Sequence, residues 1–401
     1  MLKGKKIVLG ITGGIAAYKS AELVRLFVKS GADVQVVMTA NAQEFIAPLT
    51  FATLSGNSVH GDTFSLTDDW EIGHISITEN ADLMVIAPAT ANSIGKIASG
   101  IADDLLSTMV MATRAPVLVC PAMNTTMYEN AIVRSNIDRL SSIGYHVMDA
   151  EQGELACRTE GAGRLPPAEA ILEESISILT EKDLKGETIL VTAGPTREPL
   201  DPVRYITNYS SGKMGYAIAR VAKRRGARVI LVSGPTALSV PDGVNRIDVS
   251  SATEMKRAVM EHLDESSIVI KAAAVADYRP AQYSESKIKK GEGTFSIPME
   301  KNPDILHGLG EKKGTRILVG FAMETGDLVS NATDKMIKKN ADLIVANDLT
   351  MDGAGFGHDT NVVKIIDRTG GIEQYPLMDK EAVAMKILDR VGEMTKERGA
   401  Q

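Results

Sequence analysis

Two short runs in this chain carry the residue types that bind phosphate. One is Ser210-Ser211-Gly212-Lys213, preceded by an apolar, β-branched run (Ile189, Leu190, Val191) and a Gly/Pro-rich turn, and followed by helical spacing at Met214, Ile218, Val221 and Ala222. Strand, glycine loop and helix N-terminus in that order leave free amide N–H groups and the positive end of a helix facing one point, which makes an anion site. The other is Thr12-Gly13-Gly14, between Ile7-Val8-Leu9-Gly10 and a helical stretch over residues 15–29. Lysines add a second signal in a chain of formal net charge −7. Lys335 and Lys339 are four apart and so share a helix face, and with Lys287 they could hold a polyphosphate. Taken singly, such lysines are more often solvated surface groups. Asp277, after an apolar strand, could hold a ribose or a metal, or simply form a turn.

Proton chemistry has fewer candidates. His74 stands in Glu71-Ile72-Gly73-His74-Ile75-Ser76. A lone histidine is more often structural; in a functional role it would be an acid or base. Cys157 lies in a loop with three glycines, flanked by Arg158 and Arg164, where a thiol could act as an acid. Cys120 closes an apolar strand and reads as a small buried residue. These two cysteines make no disulfide framework, and no C-x-x-C is present for zinc.

The elements that must position these groups alternate. In the first half, strands are expected at 34–38, 82–87, 117–120 and 145–148, and helices at 41–54, 92–99, 103–112, 127–143 and 167–180. Loops 12–15, 88–92 and 121–124 follow strand ends, and residues 153–165 form a glycine-rich loop. In the second half, strands are expected at 228–232, 244–249, 267–272, 318–321 and 343–346, with a closing pair at 361–367 and 371–376. Helices are expected at 253–263, from Asn302 (as cap) with Pro303 in the first turn, at 334–340 and at 380–396. Alternation of this kind means a doubly wound, mainly parallel sheet with ligands at the carboxyl ends of its strands. A strand–loop–helix opening in mid-chain begins a second such unit, and 401 residues suit two α/β, Rossmann-like domains in tandem. The N-terminal G-I-T-G-G-I is not G-x-G-x-x-G. Met38-Thr39 stands where an acidic residue would hold a ribose, which disfavours NAD and favours a mononucleotide such as FMN. No Walker motif is present. The net charge argues against a general nucleic-acid binder. The absence of an eighteen-residue apolar run and of a signal-peptide pattern sets the expectation of a cytoplasmic protein with no membrane partner. Two other readings stay open on the residues alone: a nicotinamide-dependent oxidoreductase, and a non-catalytic flavin-binding module that would need no Asn208, Lys287 or Cys157.

The motifs G-I-T-G-G-I-A-A-Y-K, P-A-T-A-N, P-A-M-N and L-A-C-R-x-x-G-x-G-R resemble the flavin-containing cysteine decarboxylase family. A-A-V-A-D-Y, K-I-K-K, N-P-D-I, G-F-A-x-E-T and A-N-D resemble a ligase partner. Together, over nearly the whole chain, they are similar to the bifunctional decarboxylase–ligase enzymes of coenzyme A biosynthesis. The resemblance implies a flavodoxin-like decarboxylase domain over 1–182 and a ligase domain over 186–401. It implies FMN at Gly13, Gly14, Ile15, Thr39, Pro88, Ala89, Thr90, Asn92 and Met123. It makes His74 the catalytic base, Asn124 the holder of the substrate carboxylate, and Cys157 a proton donor on a flap, where Arg158 stands in place of the family's frequent glycine. In the ligase half it implies CTP at Ala273, Ala274, Asp277, Lys287, Asn302, Pro303, Asp304, Ile305, Phe321, Lys335 and Lys339. Asn208 would handle an acyl-cytidylate, with Mg2+ held mainly by the CTP phosphates. The implied substrates are 4′-phosphopantothenate, cysteine and CTP. The implied assembly is a homo-oligomer, a dodecamer built from decarboxylase trimers and ligase dimers.

Overall fold

The computed structural model describes residues 2–61, 77–155, 160–290, 294–324, 328–348, 355 and 357–399. Contacts divide the chain into two units, Met1–Thr180 and Glu181–Gln401. His74, Cys157 and Arg158 lie outside the described residues.

Unit 1 is built on a six-stranded sheet: β1 (Lys6–Ile11), β2 (Asp33–Met38), β3 (Val59–His60), β4 (Leu83–Ala89), β5 (Val117–Pro121) and β6 (His146–Val147). The order is β3-β2-β1-β4-β5-β6, and every neighbouring pair is parallel. Strands covered on both faces read as continuous apolar runs rather than alternations, and all of β4 is buried. Ile7, Leu9 and Ile11 pack on one face with Phe27 and Ile171; Val8 packs on the other with Ile86, Leu106 and Met109. Each such fully buried aliphatic side chain contributes roughly 2 kcal/mol. A short hairpin, β7 (Glu151–Glu154) and β8 (Glu160–Arg164), follows the sheet.

Unit 2 holds an eight-stranded sheet. Its strands are β9 (Thr188–Ala193), β12 (Arg228–Ser233), β13 (Asn245–Asp248), β14 (Ile268–Lys271), β17 (Ile317–Glu324), β18 (Leu343–Asp348), β19 (Thr360–Asp367) and β20 (Ile372–Asp379). The order is β13-β12-β9-β14-β17-β18-β19-β20, parallel through β18 and antiparallel for the last two. Two small hairpins, β10 (Arg197–Pro199) with β11 (Tyr205–Thr207) and β15 (Tyr278–Pro280) with β16 (Met299–Lys301), decorate the strand ends. No helix among the described residues is long and apolar enough to cross a membrane.

Several expected elements take a different form. The helix expected at 41–54 is two, Ala40–Gln43 and Pro48–Ser55. Pro48 disfavours helical backbone in the residue before it, and Ala47 is extended (φ −69°, ψ 140°). The helix expected at 127–143 is also two, Thr125–Tyr128 and Ala131–Ser142, because Asn124 and Asn130 each accept an N–H two residues on, at 2.9 Å. Part of the glycine-rich stretch 153–165 is strand, not loop. The helix expected at 334–340 runs over Leu328–Lys338. Asn302 does not cap the next helix: Asp304 does, accepting the His307 N–H at 2.9 Å, and the helix is Ile305–Glu311. Asn302 instead donates to the Ala276 carbonyl at 2.9 Å.

Candidate active sites

Each sheet changes winding direction once, between β1 and β4 in unit 1 and between β9 and β14 in unit 2. Open α/β sheets bind ligands where the strand order reverses, and many of the expected site residues among those described lie near these two points.

In unit 1 the reversal is laced by threonines. Thr12, fully buried, donates from its hydroxyl to the Pro88 carbonyl at 2.7 Å and accepts the Thr90 N–H at 3.0 Å. Thr90 then caps the helix Ala91–Ser99. Above this knot lies a cavity of about 1040 Å3 whose lining includes Gly13, Gly14, Ile15, Thr39, Thr90, Asn92, Met123 and Asn124. Pro88 and Ala89 do not line it. They sit within β4, where their carbonyls accept from Thr12 and Ala122, so they shape the wall from behind. Asn124 stays at the cavity wall because its Oδ1 is committed to capping the helix Thr125–Tyr128.

One feature of the cavity suits a bound polar ligand, and a second fixes its wall. The Thr39 hydroxyl is buried with no hydrogen-bond partner among the described residues, an arrangement that native interiors rarely tolerate without a ligand or water. Gly13 is pressed against the helix Ala40–Gln43, so an added Cβ would lie 2.3 Å from the Asn41 Cβ. Lys96 and Asp104 also line the cavity, and nothing in the sequence marked them. Lys96 donates to Asp103 (2.7 Å) and Asp104 (2.9 Å), and these hydrogen bonds raise its pKa and keep the ammonium charged. Cys120 is fully buried beneath, and burial, with Glu174 adding, pushes its thiol far up, so it is inert.

In unit 2 the segment 273–277 is gripped residue by residue. Ala273 N–H donates to Thr192 Oγ1 (3.1 Å), Ala274 N–H to the Gly194 carbonyl (3.0 Å) and Ala276 N–H to Thr196 Oγ1 (3.1 Å). Asn208 donates from Nδ2 to the Ala274 carbonyl at 3.0 Å. Asn302 holds Ala276 and, through its own N–H, the Asp277 carbonyl at 2.8 Å. Asp277 itself is exposed. Beside this turn Lys335 donates to the Phe321 carbonyl at 2.9 Å and Lys339 pairs with Asp304 at 2.6 Å. Lys339 lies one residue beyond its helix, but its N–H still bonds the Lys335 carbonyl, so the shared face persists. Burial pushes the Asp304 carboxyl up, yet the bonds from Lys339 and the His307 N–H hold it below its ordinary value.

The loop Ser210-Ser211-Gly212 ends in a left-handed Gly212 (φ 81°) that starts the helix Lys213–Arg224 with no side-chain cap. A residue with a Cβ is strained there. Its first-turn N–H groups are therefore left to water or an anion. Lys213 is drawn to Asp359 at 2.6 Å.

Lys287 is exposed, and two residues that the motifs did not flag fasten its loop. Asp201 accepts the Ile288 N–H at 3.1 Å, and Arg204 donates to the Ile288 carbonyl at 2.8 Å. Among the described residues no three His, Cys, Asp or Glu side chains converge as metal ligands.

Comparison with known proteins follows the same division. The family described as Flavoprotein matches residues 1–180, and the one described as DNA/pantothenate metabolism flavoprotein C-terminal domain matches residues 184–394. The chain is 46% identical to the coenzyme A biosynthesis bifunctional protein CoaBC of Bacillus subtilis (strain 168) over 403 aligned residues, 100% of this chain and 99% of that one. The solved C-terminal domain of a coenzyme A biosynthesis bifunctional protein CoaBC is 45% identical, covering 54% of this chain and 100% of that chain, with a TM-score of 0.47. The FMN-dependent cysteine decarboxylase SpaF is 27% identical, covering 45% of this chain and 100% of that chain, with a TM-score of 0.39.

Proposed function

The chain belongs to the family of coenzyme A biosynthesis bifunctional proteins, and on that footing we propose how its residues divide the work. It is a decarboxylase in its flavoprotein half and a ligase in its C-terminal half. In the proposed division residues 186–401 join 4′-phosphopantothenate to cysteine, and residues 1–182 decarboxylate the product to 4′-phosphopantetheine. The observation that carries this is the pair of strand-end cradles, each at the reversal point of its own sheet on one polypeptide.

In the ligase half the substrate carboxylate attacks CTP, giving an acyl-cytidylate and pyrophosphate; the cysteine amine then displaces CMP. Lys287, Lys335 and Lys339 offset phosphate charge that develops in the first step, together with Mg2+ carried mainly on the CTP phosphates. The gripped turn at Ala273, Ala274 and Asp277, with Asn302 to Ile305 and Phe321, forms the nucleotide bed. Asn208, tied to the Ala274 carbonyl, holds the acyl group in register with that bed.

In the decarboxylase half Gly13, Gly14, Ile15, Thr39, Thr90, Asn92 and Met123 hold FMN. The Thr39 hydroxyl gains the partner it otherwise lacks. When bound, FMN supplies a two-electron sink for the substrate and returns the pair before release. Asn124 holds the substrate carboxylate, His74 removes a proton from the substrate, and Cys157 supplies one after CO2 leaves. We place the enzyme in the cytoplasm as a homo-oligomer, a dodecamer of decarboxylase trimers joined by ligase dimers.

The test is incubation of the purified protein with 4′-phosphopantothenate, cysteine and CTP, followed by mass spectrometry. The expected products are CMP, pyrophosphate and a coupled product lighter by CO2. A colourless sample that takes up no FMN would sink the first half of this reading, and indifference to CTP the second.

A further inference from the structure

Lys271 ends β14 at the edge where the nucleotide bed lies, and no motif above contains it. Strand alternation puts it on the face of Val269 and Ala273, which pack with Leu306, Ala322 and Ala332, whereas Ile268 and Ile270 point to the opposite core. That is the face covered by the helices Ile305–Glu311 and Leu328–Lys338, which bear Lys335 and follow Asp304.

The ammonium of Lys271 is poorly compensated. It donates to the Ala273 carbonyl at 3.1 Å, its one hydrogen bond among the described residues, where it also makes no ion pair. An ammonium carries three donors. Lys271 lies opposite Gly320 of β17, and Lys335 is bonded to the carbonyl of the next residue, Phe321, which sets the two ammonium groups at neighbouring strand ends; Asp304 at the start of Ile305–Glu311 and Asp277 from the turn after β14 also act on its charge. Asp304 is already engaged by Lys339 at 2.6 Å and by its own helix. Burial, then the neighbouring Lys335 charge, pulls the Lys271 pKa down to about 8, against the opposing pull of Asp304 and Asp277. A half-buried cation with unused donors, beside a second cation, is stabilised by an anion.

We propose that Lys271 is a further phosphate-binding residue of the ligase half, its ammonium joining that of Lys335 in receiving the phosphate chain of the nucleoside triphosphate at the ends of β14 and β17. This rests on the CTP reading of that half and adds to it a cation that the family motifs leave out. The bond to the Ala273 carbonyl also fixes the turn that Asn208 grips at the next residue, so the phosphate contact and the acyl contact share one rigid support. Lys271 acts by charge, and no bond forms or breaks at it.

The test is calorimetric titration of the full-length, FMN-loaded protein with CTP and with inorganic pyrophosphate, both with Mg2+. Lys271→Met and Lys271→Gln should each lose about tenfold in affinity for both ligands, and Lys271→Arg should keep most of it. Wild-type affinity should fall as pH rises through about 8, and the Lys271→Met profile should be flat there. Unchanged far-ultraviolet circular dichroism and an unchanged unfolding transition of the ligase unit show that the variants are folded, because flavin absorbance and decarboxylation report only the other unit. Wild-type affinities in both neutral variants overturn the proposal. So does a loss of ligase kcat with CTP and pyrophosphate affinities intact, the mark of a purely structural lysine. Failure of the wild-type protein itself to bind CTP would overturn the CTP reading and this proposal together, a result distinct from either.

Discussion

Asp201 accepts a hydrogen bond from the Ile288 N–H at 3.1 Å, tying positions 87 residues apart in the chain. The same carboxylate binds Arg204 Nε at 3.0 Å, and Arg204 in turn holds the Ile288 carbonyl at 2.8 Å. Lys287, the exposed cation of K-I-K-K, therefore precedes a residue, Ile288, whose N–H and C=O are both clamped.

The clamp predicts that Asp201→Asn lowers ligase kcat/KM by about 100-fold through misplacement of Lys287, with decarboxylation unchanged. Steady-state rates of the two half-activities, measured separately, test this. The Arg204 bond, then the backbone N–H groups of Val203, Ile288 and Arg204, hold the Asp201 carboxyl well below the usual range despite the cost of its surroundings. A depressed carboxylate contributes stability above its unfolded pKa of about 4 and loses it as pH falls towards the folded value. The stability gap between wild type and Asp201→Asn, read by urea unfolding, should accordingly narrow between pH 7 and pH 3. A gap that widens would refute the carboxylate as its source.

Asn208→Asp replaces the amide that donates to the Ala274 carbonyl with a carboxylate that repels it. The expected outcome is accumulation of acyl-cytidylate, or a block in its turnover by cysteine, with product formation slowed on the order of 100-fold. Mass spectrometry of the quenched reaction distinguishes the two, and normal product formation would remove Asn208 from this role.

Gly13→Ala places a Cβ 2.3 Å from the Asn41 Cβ, so the helix Ala40–Gln43 must move off the cavity. Flavin affinity should fall by at least about tenfold, seen as loss of yellow colour on gel filtration while ligase activity persists. Thr39→Val gives the finer test. If the buried hydroxyl serves the flavin, the variant apoprotein should be as stable as wild type or more so, and the holoprotein less stable. Equal flavin affinity in Thr39→Val would show that the hydroxyl has no such duty.

His74→Asn should lose decarboxylation while still producing 4′-phosphopantothenoylcysteine. Cys157→Ser should stall at an oxidised intermediate detectable by mass and by ultraviolet absorbance, because the returning electrons need a proton donor. Full turnover in Cys157→Ser would sink the proton-donor assignment.

Periodicity and turn chemistry carried much of this protein on the sequence alone. Buried parallel strands are continuous apolar runs, so β1, β4, β9 and β12 were legible from Ile7-Val8-Leu9, Leu83-Met84-Val85-Ile86, Ile189-Leu190-Val191 and Val229-Ile230-Leu231-Val232. The glycine loops that follow strands were legible too, because backbone conformation and helix ends are local properties. Local rules misjudged boundaries where one side chain overrode a trend: Pro48 splitting a helix, Asn130 restarting one, Asp304 rather than Asn302 capping another.

The site's supporting contacts were not legible, since each joins residues far apart in sequence. Thr12 to Pro88, Asn208 to Ala274, Asp201 to Ile288 and Lys271 beside Lys335 depend on which strands lie next to each other. Sequence alone determined which segments are strands, helices and glycine-containing loops, because those follow from side-chain spacing along one stretch. Only the tertiary structure decided which polar groups meet at the strand ends, because burial and charge compensation are set by neighbours that the sheet order brings together.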